Sequence, residues 1–323
     1  MNEQNNSNSS LSKYYRRPKI SVKLPTNGLW YNSDIVELTE NATVNILPMT
    51  GLDEIKAQTP ELITDTNFKF DLIRSCVPAI KQPEKMAAVD INAIMFGIYA
   101  ASYGKNYRTN LICPHCLEAY NALKTEEEKK SAIDNSEVNI NPQKFDLHAE
   151  SVLALSKYAM NKDIYFDYDN DLRIYLKPVS IDVVDSYNTN NYYQEMLEEK
   201  IQKLTDDANN DIIDKKTVIE KIQNEVKKYS DQVYGIVLEM LIKSVSHIVI
   251  ISTNETITDE KEIADFIKNS PHELIDKIKN LRDKEIDTLG LPDTVKVECN
   301  CCHKLFDANP AYFDPTAFFD IAS

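Results

Sequence analysis

A chain of 323 residues is long enough to bury a hydrophobic core, either as one large domain or as two modest ones. Its net charge of −15 argues against general binding of nucleic acid, because an acidic surface repels phosphate backbones. The N-terminus lacks the apolar core of a signal peptide, and the most apolar stretch, 233–252, carries charges near its centre. We therefore expect a protein that does not enter a membrane and works in a reducing compartment.

The first predicted segment is a disordered N-terminal arm, residues 1–18, which is rich in Asn and Ser and poor in apolar residues. The arm and the residues just after it are basic, because residues 1–23 hold five cations against one acid, Glu3. Two interpretations stay open for this segment. It is either a solvated tail or a basic arm that docks on an acidic partner surface.

Residues 19–118 are predicted to form a β-turn followed by helices. Short alternating apolar runs between 19 and 47 flank the turn signal "PTNG". Thr50 is the expected N-cap of a first helix, and Pro78 ends the helical pattern that follows.

A central helix is predicted over 90–104, with Asp90 as its N-cap and Gly104 as its C-terminal signal. Its sequence, "DINAIMFGIYAASYG", is apolar on most of its surface, which indicates a position in the core. This helix leads directly into the first Cys-x-x-Cys of the chain.

Two regions follow in the middle of the chain. Residues 119–185 contain strand-like alternation and are predicted as a small β region. Residues 186–252 are predicted as an antiparallel helical hairpin, which packs either on its own domain or on a partner. Its two apolar seams step by three and four residues and comprise Leu197, Ile201, Leu204 and Ala208, then Ile222, Val226, Tyr229, Val233, Ile236 and Met240.

The last region, 253–323, is predicted to hold two short helices, a strand with the second Cys-x-x-Cys, and an aromatic tail. The whole chain is therefore predicted to be α+β and mainly helical, with small β elements and the helical hairpin. A zinc-ribbon-like four-cysteine site is expected to join the middle of the chain to its C-terminal region. The tail aromatics are candidates for partner contact or for covering the core, and they are Tyr312, Phe313, Phe318 and Phe319.

The four-cysteine site is the main chemical prediction. Cys113 and Cys116 form one Cys-x-x-Cys, and Cys299 and Cys302 form another, with 182 residues between the two pairs. Each pair can form a knuckle, a tight turn whose two thiolates converge on one ion, and two knuckles supply the four sulfurs that tetrahedral Zn²⁺ prefers. We predict one structural zinc ion per chain, held by these four cysteines. The long separation leaves dithiol redox chemistry and inert cysteines as alternatives.

Several neighbouring groups are weaker candidates. Cys301 can replace Cys302 as a ligand only in a distorted turn, and His303 and His115 are expected beside the ligands rather than among them. Cys76 is expected to be a small buried hydrophobic residue. The chain holds no GxGxxG, P-loop, HExxH or GxSxG motif, so we expect no enzymatic activity.

Six segments in register suggest a family. "KLPTNGLWY", "ILPMTGLDEI", "RSCVPAI", "AASYGKNY", "CPHC" and "VECNCC…FDPTAFF" resemble the T4-type bacteriophage baseplate hub and hub-assembly protein family. The similarity covers residues 19–116 well, returns at about 140–180 and 235–323, and is weakest at about 186–232. The chain departs from the family pattern at Cys301, an extra cysteine, and at Leu117 and His303, where a glycine commonly follows each knuckle.

This resemblance implies a non-enzymatic role in building the hub or wedge of a contractile-tail baseplate. Other baseplate and tail proteins would be the partners, without nucleic acid or membrane, and an oligomer is compatible with such a role. The location would be the host cytoplasm during assembly, with the virion baseplate as a second location. The resemblance also implies that the two knuckles come together. A zinc-stabilised cellular adaptor and a dithiol oxidoreductase are the alternative functions.

Overall fold

The computed structural model describes residues 15–57, 66–104, 106–186, 200–206, 215–292 and 294–308. Helices and strands are mixed along the chain, and the strands form three two-stranded ribbons and one four-stranded sheet within these residues. The predicted α+β class is therefore confirmed. None of the described helices combines the length and the hydropathy that crossing a membrane would require.

The N-terminal ribbon packs on one long helix. Strand β1 (Ile20–Lys23) pairs antiparallel with β2 (Thr43–Ile46), and both lie against α3 (Ala88–Tyr103). The contact is close because α3 carries Gly97, where an added Cβ would lie 2.4 Å from Ile46 Cδ1 and 2.6 Å from a Val22 methyl. A side chain at this position would push the ribbon off the helix.

Two helices precede α3 and complete this part of the core. Helix α1 (Gly51–Ala57) begins after Thr50, whose hydroxyl accepts a hydrogen bond from Asp53 N–H, so the predicted N-cap is confirmed. Helix α2 (Thr66–Cys76) ends just before Pro78, as expected, and a short 3₁₀ turn (Pro83–Lys85) leads to α3.

The predicted capping role of Asp90 is wrong. Helix α3 begins at Ala88 with Ala87 as its N-cap, and Asp90 is fully buried inside the first turn. Its carboxylate accepts hydrogen bonds from Thr26 N–H at 2.9 Å, from the Thr26 hydroxyl at 2.6 Å and from the Tyr31 hydroxyl at 2.5 Å. Asp90 therefore ties the "PTNG" turn to the helix instead of capping the helix.

A second group of elements surrounds the first knuckle. Strand β3 (Asn106–Leu111) separates α3 from Cys113, so the helix does not lead directly into the knuckle as predicted. Strand β3 pairs antiparallel with β4 (Gln143–His148). Between these strands lie α4 (Pro114–Ala122) and α5 (Glu126–Asp134), and α6 (Ala149–Ala154) follows β4. The region predicted as small β elements therefore also contains helices.

The four-stranded sheet has its own core. Its order is β5 (Ile164–Tyr168), β6 (Leu172–Leu176), β7 (Val245–Ile250) and β8 (Glu255–Ile257), all antiparallel. Helices α7 (Lys215–Ser244), α8 (Glu260–Lys268) and α9 (His272–Glu285) pack against it. The buried residues of this core are Ile174, Leu176, Leu241, Val245, Ile248, Ile263, Ile267, Leu274, Ile278 and Ile286.

The predicted helical hairpin is too long at its C-terminal end. Helix α7 stops at Ser244, and the next six residues form β7 between β6 and β8. Four of those six residues are β-branched, which favours a strand that is hydrogen-bonded on both sides. Residues 200–206 are helical and lie beside α7, because Lys200 Nζ is 2.9 Å from Glu225 Oε1. Leu197 and Ala208 of the predicted seam lie outside the described residues.

The final ribbon carries the second knuckle. The alternating sequence predicted strand β9 (Val295–Glu298), and this strand pairs antiparallel with β10 (Leu305–Ala308). The four tail aromatics named above lie outside the described residues.

Arg16 shows that the N-terminal arm is held to the fold before residue 18. One of its terminal nitrogens donates to Pro48 O at 2.8 Å, and the other donates to Ser75 O at 2.6 Å. The first also lies 3.4 Å from an Asp53 carboxylate oxygen. Residues 1–14 of the predicted arm lie outside the described residues.

We predict that Arg16→Ala lowers the free energy of unfolding by about 1–2 kcal/mol, because several charge-assisted hydrogen bonds are lost. The measurement is urea denaturation followed by circular dichroism. Arg17→Ala is the matched control, since the Arg17 side chain is exposed, and removal of residues 1–14 should also leave the transition unchanged. Equal effects of the two arginine substitutions would contradict this prediction.

Asp90 gives a prediction about pH. Burial raises its pKa to about 6, and the hydrogen bonds from Thr26 and Tyr31 oppose this rise. The pKa of an Asp side chain in the unfolded chain is about 3.9. Between about pH 4 and pH 6 the folded protein therefore keeps a proton on Asp90 that the unfolded chain has lost. Stability from this group is therefore present below about pH 4 and is lost as the pH rises through about 6.

The test compares the wild type with Asp90→Asn by urea denaturation from pH 4 to pH 7. The stability of the wild type relative to the variant should decrease as the pH rises through this window, because Asn cannot titrate. A constant difference, or one that increases with pH, would show that Asp90 is not the group responsible.

Candidate metal centre

The first knuckle is built where a strand meets a helix. Cys113 follows β3 in extended conformation and is the N-cap of α4, with Pro114 at the first helical position. Cys116 lies in the first turn of that helix, so both thiols are presented at its N-terminal end. Leu117 N–H donates to Cys113 O at 3.1 Å and closes the turn.

The second knuckle is the loop of the β9–β10 ribbon. Cys299 N–H donates to Lys304 O at 3.0 Å, and His303 N–H donates to Cys299 O at 3.0 Å. Cys301 N–H lies 3.4 Å from Cys299 Sγ, to which it donates. These bonds fix the direction in which the Cys299 and Cys302 thiols leave the hairpin.

The fold brings the four predicted sulfurs together. Cys113 Sγ lies 3.7 Å from Cys302 Sγ, Cys116 Sγ lies 3.7 Å from Cys299 Sγ, and all four atoms lie within 4.8 Å of one another. All four cysteines are free thiols, and all except Cys302 are buried. Together they form a cluster that can hold a metal ion. Within the described ranges, no other group of three or more His, Cys, Asp or Glu residues is arranged in this way.

The surroundings of the cluster are apolar. Buried residues from α3, from the loop after α5 and from β9 and β10 pack around the cysteines, including Phe96, Tyr99, Val138, Val295, Val297 and Phe306. This burial raises the pKa of the Cys113 and Cys116 thiols. Thiolates in such surroundings need a bound cation, because a buried charge without a partner is costly.

The loop after α5 supports both knuckles and was not identified from the sequence. Cys301 Sγ lies 3.1 Å from Ser136 O and donates to it, and the backbone of Asn139 lowers the pKa of the Cys116 thiol against the effect of burial. Val138, between them, is buried in the same cluster. A polar segment at this distance from either Cys-x-x-Cys gives no sequence signal for such a role.

The flanking groups have other partners. His115 Nε2 is 3.2 Å from Leu305 O, and His303 Nδ1 is 3.3 Å from a Glu298 carboxylate oxygen. Cys76 is buried beside Arg16, and burial raises its pKa to about 11. The structure therefore places Cys301, His115 and His303 beside the sulfur cluster and Cys76 in a separate core.

The two positions without a glycine differ in conformation. Leu117 is helical, so the first knuckle continues into α4 and needs no glycine. His303 has φ of +56°, the left-handed region that glycine adopts most readily. Only the second knuckle therefore carries backbone strain from the missing glycine.

Comparisons of this chain with protein-family models, with curated proteins and with solved structures find no match.

The contrast between the two knuckles gives a matched pair of substitutions. His303→Gly should raise the free energy of unfolding by about 1 kcal/mol, because glycine relieves the left-handed strain. Leu117→Gly should lower it by about 1 kcal/mol, because glycine is unfavourable inside a helix. Both values come from urea denaturation of the protein as purified. Destabilisation of similar size by both substitutions would contradict the strain assigned to His303.

Proposed function

We propose that this protein is a non-enzymatic component or assembly factor of a contractile phage tail, and that it works in the baseplate hub with one structural zinc ion. The observation that carries the proposal is the meeting of Cys113 and Cys116 with Cys299 and Cys302 across 182 residues of sequence. The resemblance to the T4-type baseplate hub family implies such a meeting. Neither knuckle by itself would require it.

Zinc is the proposed ion because of the geometry and the donor set. Zn–S bonds of about 2.3 Å in a regular tetrahedron place the sulfurs about 3.8 Å apart. Two of the observed sulfur separations are 3.7 Å, and the largest is within 4.8 Å. Four thiolates leave no coordination position open for a substrate, so the role is structural.

The zinc prediction is tested by elemental analysis of freshly reduced protein. We expect about one zinc per chain, and its loss together with a large drop in melting temperature in Cys116→Ser and Cys299→Ser. Cys76→Ser and Cys301→Ser are the matched controls, because both residues are cysteines that lie outside the four-sulfur cluster. They should keep the metal. Wild-type protein that contains no zinc and still folds would rule out the proposed zinc site.

Helix α7 is the proposed partner surface for the phage tail proteins. Its side chains Ile219, Val226 and Tyr234 are 55%, 40% and 66% exposed. Their spacing of seven and eight residues puts them on one side of the helix. An exposed apolar stripe on a long helix is typical of an interaction surface.

The functional test uses a phage that carries the gene with serine at Ile219, Val226 and Tyr234. We expect soluble, zinc-loaded protein but lysates with few complete tails by electron microscopy. The control places serine at Lys221 and Lys228, which are exposed on the opposite side of α7. Normal tails and normal plaque numbers with the apolar variant would refute the role of this surface. Mass spectrometry of purified virions separates an assembly factor from a permanent component.

One observation favours a second function, dithiol oxidoreductase. Cys113 N-caps a helix directly after a strand, which is the local setting of redox Cys-x-x-Cys motifs. Cys113 is fully buried, however, and its pKa is raised by burial, whereas a nucleophilic thiol needs access and a lowered pKa. Disulfide reduction by the wild type that disappears in Cys113→Ser would establish the oxidoreductase instead.

A further inference from the structure

A cleft of about 450 Å³ lies apart from the sulfur cluster and has no cysteine in its lining. It opens between the N-terminal part of the chain and the residues that follow β6 and end α7. One part of its lining is apolar or aromatic and another part carries lysines. The lining includes Trp30, Ile35, Lys85, Lys177, Pro178 and Lys243.

Two of the three lysines in the cleft make no salt bridge with any described residue. Lys243 Nζ is paired with a Glu260 carboxylate oxygen at 2.7 Å. Within the part of the chain that the structure describes, no salt bridge involves Lys177 or Lys85. Lys177 is half-buried, and its pKa is lowered by burial and then by the neighbouring Lys243 charge, while the Glu260 charge only partly opposes this shift. An ammonium group in this setting is stabilised by an anion supplied from outside.

The tryptophan of the cleft carries a buried donor. Trp30 Nε1 is buried and has no hydrogen-bond partner among the described residues. Buried donors without partners are rare in folded proteins and cost roughly 1–3 kcal/mol. The cleft therefore combines two lysines without salt bridges and an apolar lining, and the indole N–H lies buried beneath its surface.

The acids at the cleft limit the charge of its ligand. Asp182 and Glu239 also line it, and both are exposed. They would repel a ligand with several negative charges, such as a polyphosphate, more strongly than a ligand with one. The remaining cations are ammonium groups, without an arginine fork suited to bidentate phosphate recognition.

We propose that this cleft binds a peptide segment of a partner protein through one Asp or Glu carboxylate flanked by apolar side chains. The carboxylate pairs with Lys177 and Lys85, and the flanking side chains contact the apolar lining around Trp30 and Ile35. This interaction does not depend on the proposed phage function or on zinc, so either proposal can fail without the other.

The only tryptophan of the chain lies in the cleft, so its fluorescence reports occupancy directly. The probes are the peptides acetyl-Leu-Asp-Leu-amide and acetyl-Leu-Asn-Leu-amide, with inorganic phosphate as a third ligand. The protein is the full zinc-loaded chain. The variants are Lys177→Gln and Lys85→Gln, and Lys130→Gln on α5 is the control because it is exposed and outside the cleft.

We expect a saturable change with the Asp peptide and binding at least about tenfold weaker for the Asn peptide, as the loss of a charge-assisted hydrogen bond implies. Lys177→Gln should weaken the Asp peptide by a similar factor, Lys85→Gln should also weaken it, and Lys130→Gln should not. Because Lys85 is exposed, its variant tests the proposal even if Lys177→Gln fails to fold. Equal binding of the two peptides, tighter binding of phosphate, or no signal by fluorescence and calorimetry would each overturn the proposal.

Discussion

The convergence of four sulfurs is the constraint on which the arrangement of the chain depends. It joins the β3–α4 junction to the β9–β10 hairpin and closes a loop of nearly 200 residues. Closing so long a loop restricts the unfolded chain strongly in the polymer picture. Helix α3 contributes to the core around both knuckles, because its Phe96 and Tyr99 pack in the same cluster as Val297 and Phe306 of the last hairpin. One ion would thereby hold the central helix, the middle of the chain and its last described strands in one unit.

Local signals in the sequence predicted the elements that obey local rules. Thr50 caps α1, Gly104 ends α3, and the alternation before Cys299 forms a strand, because each depends on a few neighbouring residues. The prediction that Asp90 is the N-cap of α3 was wrong because a buried carboxylate in the first turn has the same sequence pattern as an N-cap. Its hydrogen-bond partners lie 59 to 64 residues away in the sequence. The predicted C-terminal end of the helical hairpin was wrong, because the apolar, β-branched run of β7 fits either a buried helix or a central strand. Only its pairing with β6 and β8 decides between the two.

The four candidate cysteine ligands could be predicted from the sequence, but the loop after α5 that packs beside them could not. Two Cys-x-x-Cys pairs without other partners favour one tetrahedral site, although their separation of 182 residues left dithiol redox chemistry and inert cysteines as alternatives. The loop that accepts a hydrogen bond from Cys301 at Ser136 O and acts on Cys116 through the backbone of Asn139 carries no such signal, because its effects come from the backbone and do not depend on the residue type. The sequence shows that neither knuckle is followed by glycine. Only the backbone conformation shows that Leu117 is helical, where glycine is not needed, and that His303 has the positive φ that glycine adopts most readily.

The distance between the knuckles also orders events on the ribosome. Cys299 is made 183 positions after Cys116, which corresponds to roughly 10–40 s at ordinary rates of translation. During that time the first pair of thiols has no second pair to share an ion with. The ribbon β1–β2 and helix α3 contain their own apolar contacts and can form while synthesis continues. All four sulfurs can meet only after the β9–β10 hairpin has been made, so Cys113 and Cys116 must stay reduced until then if the cluster is to form.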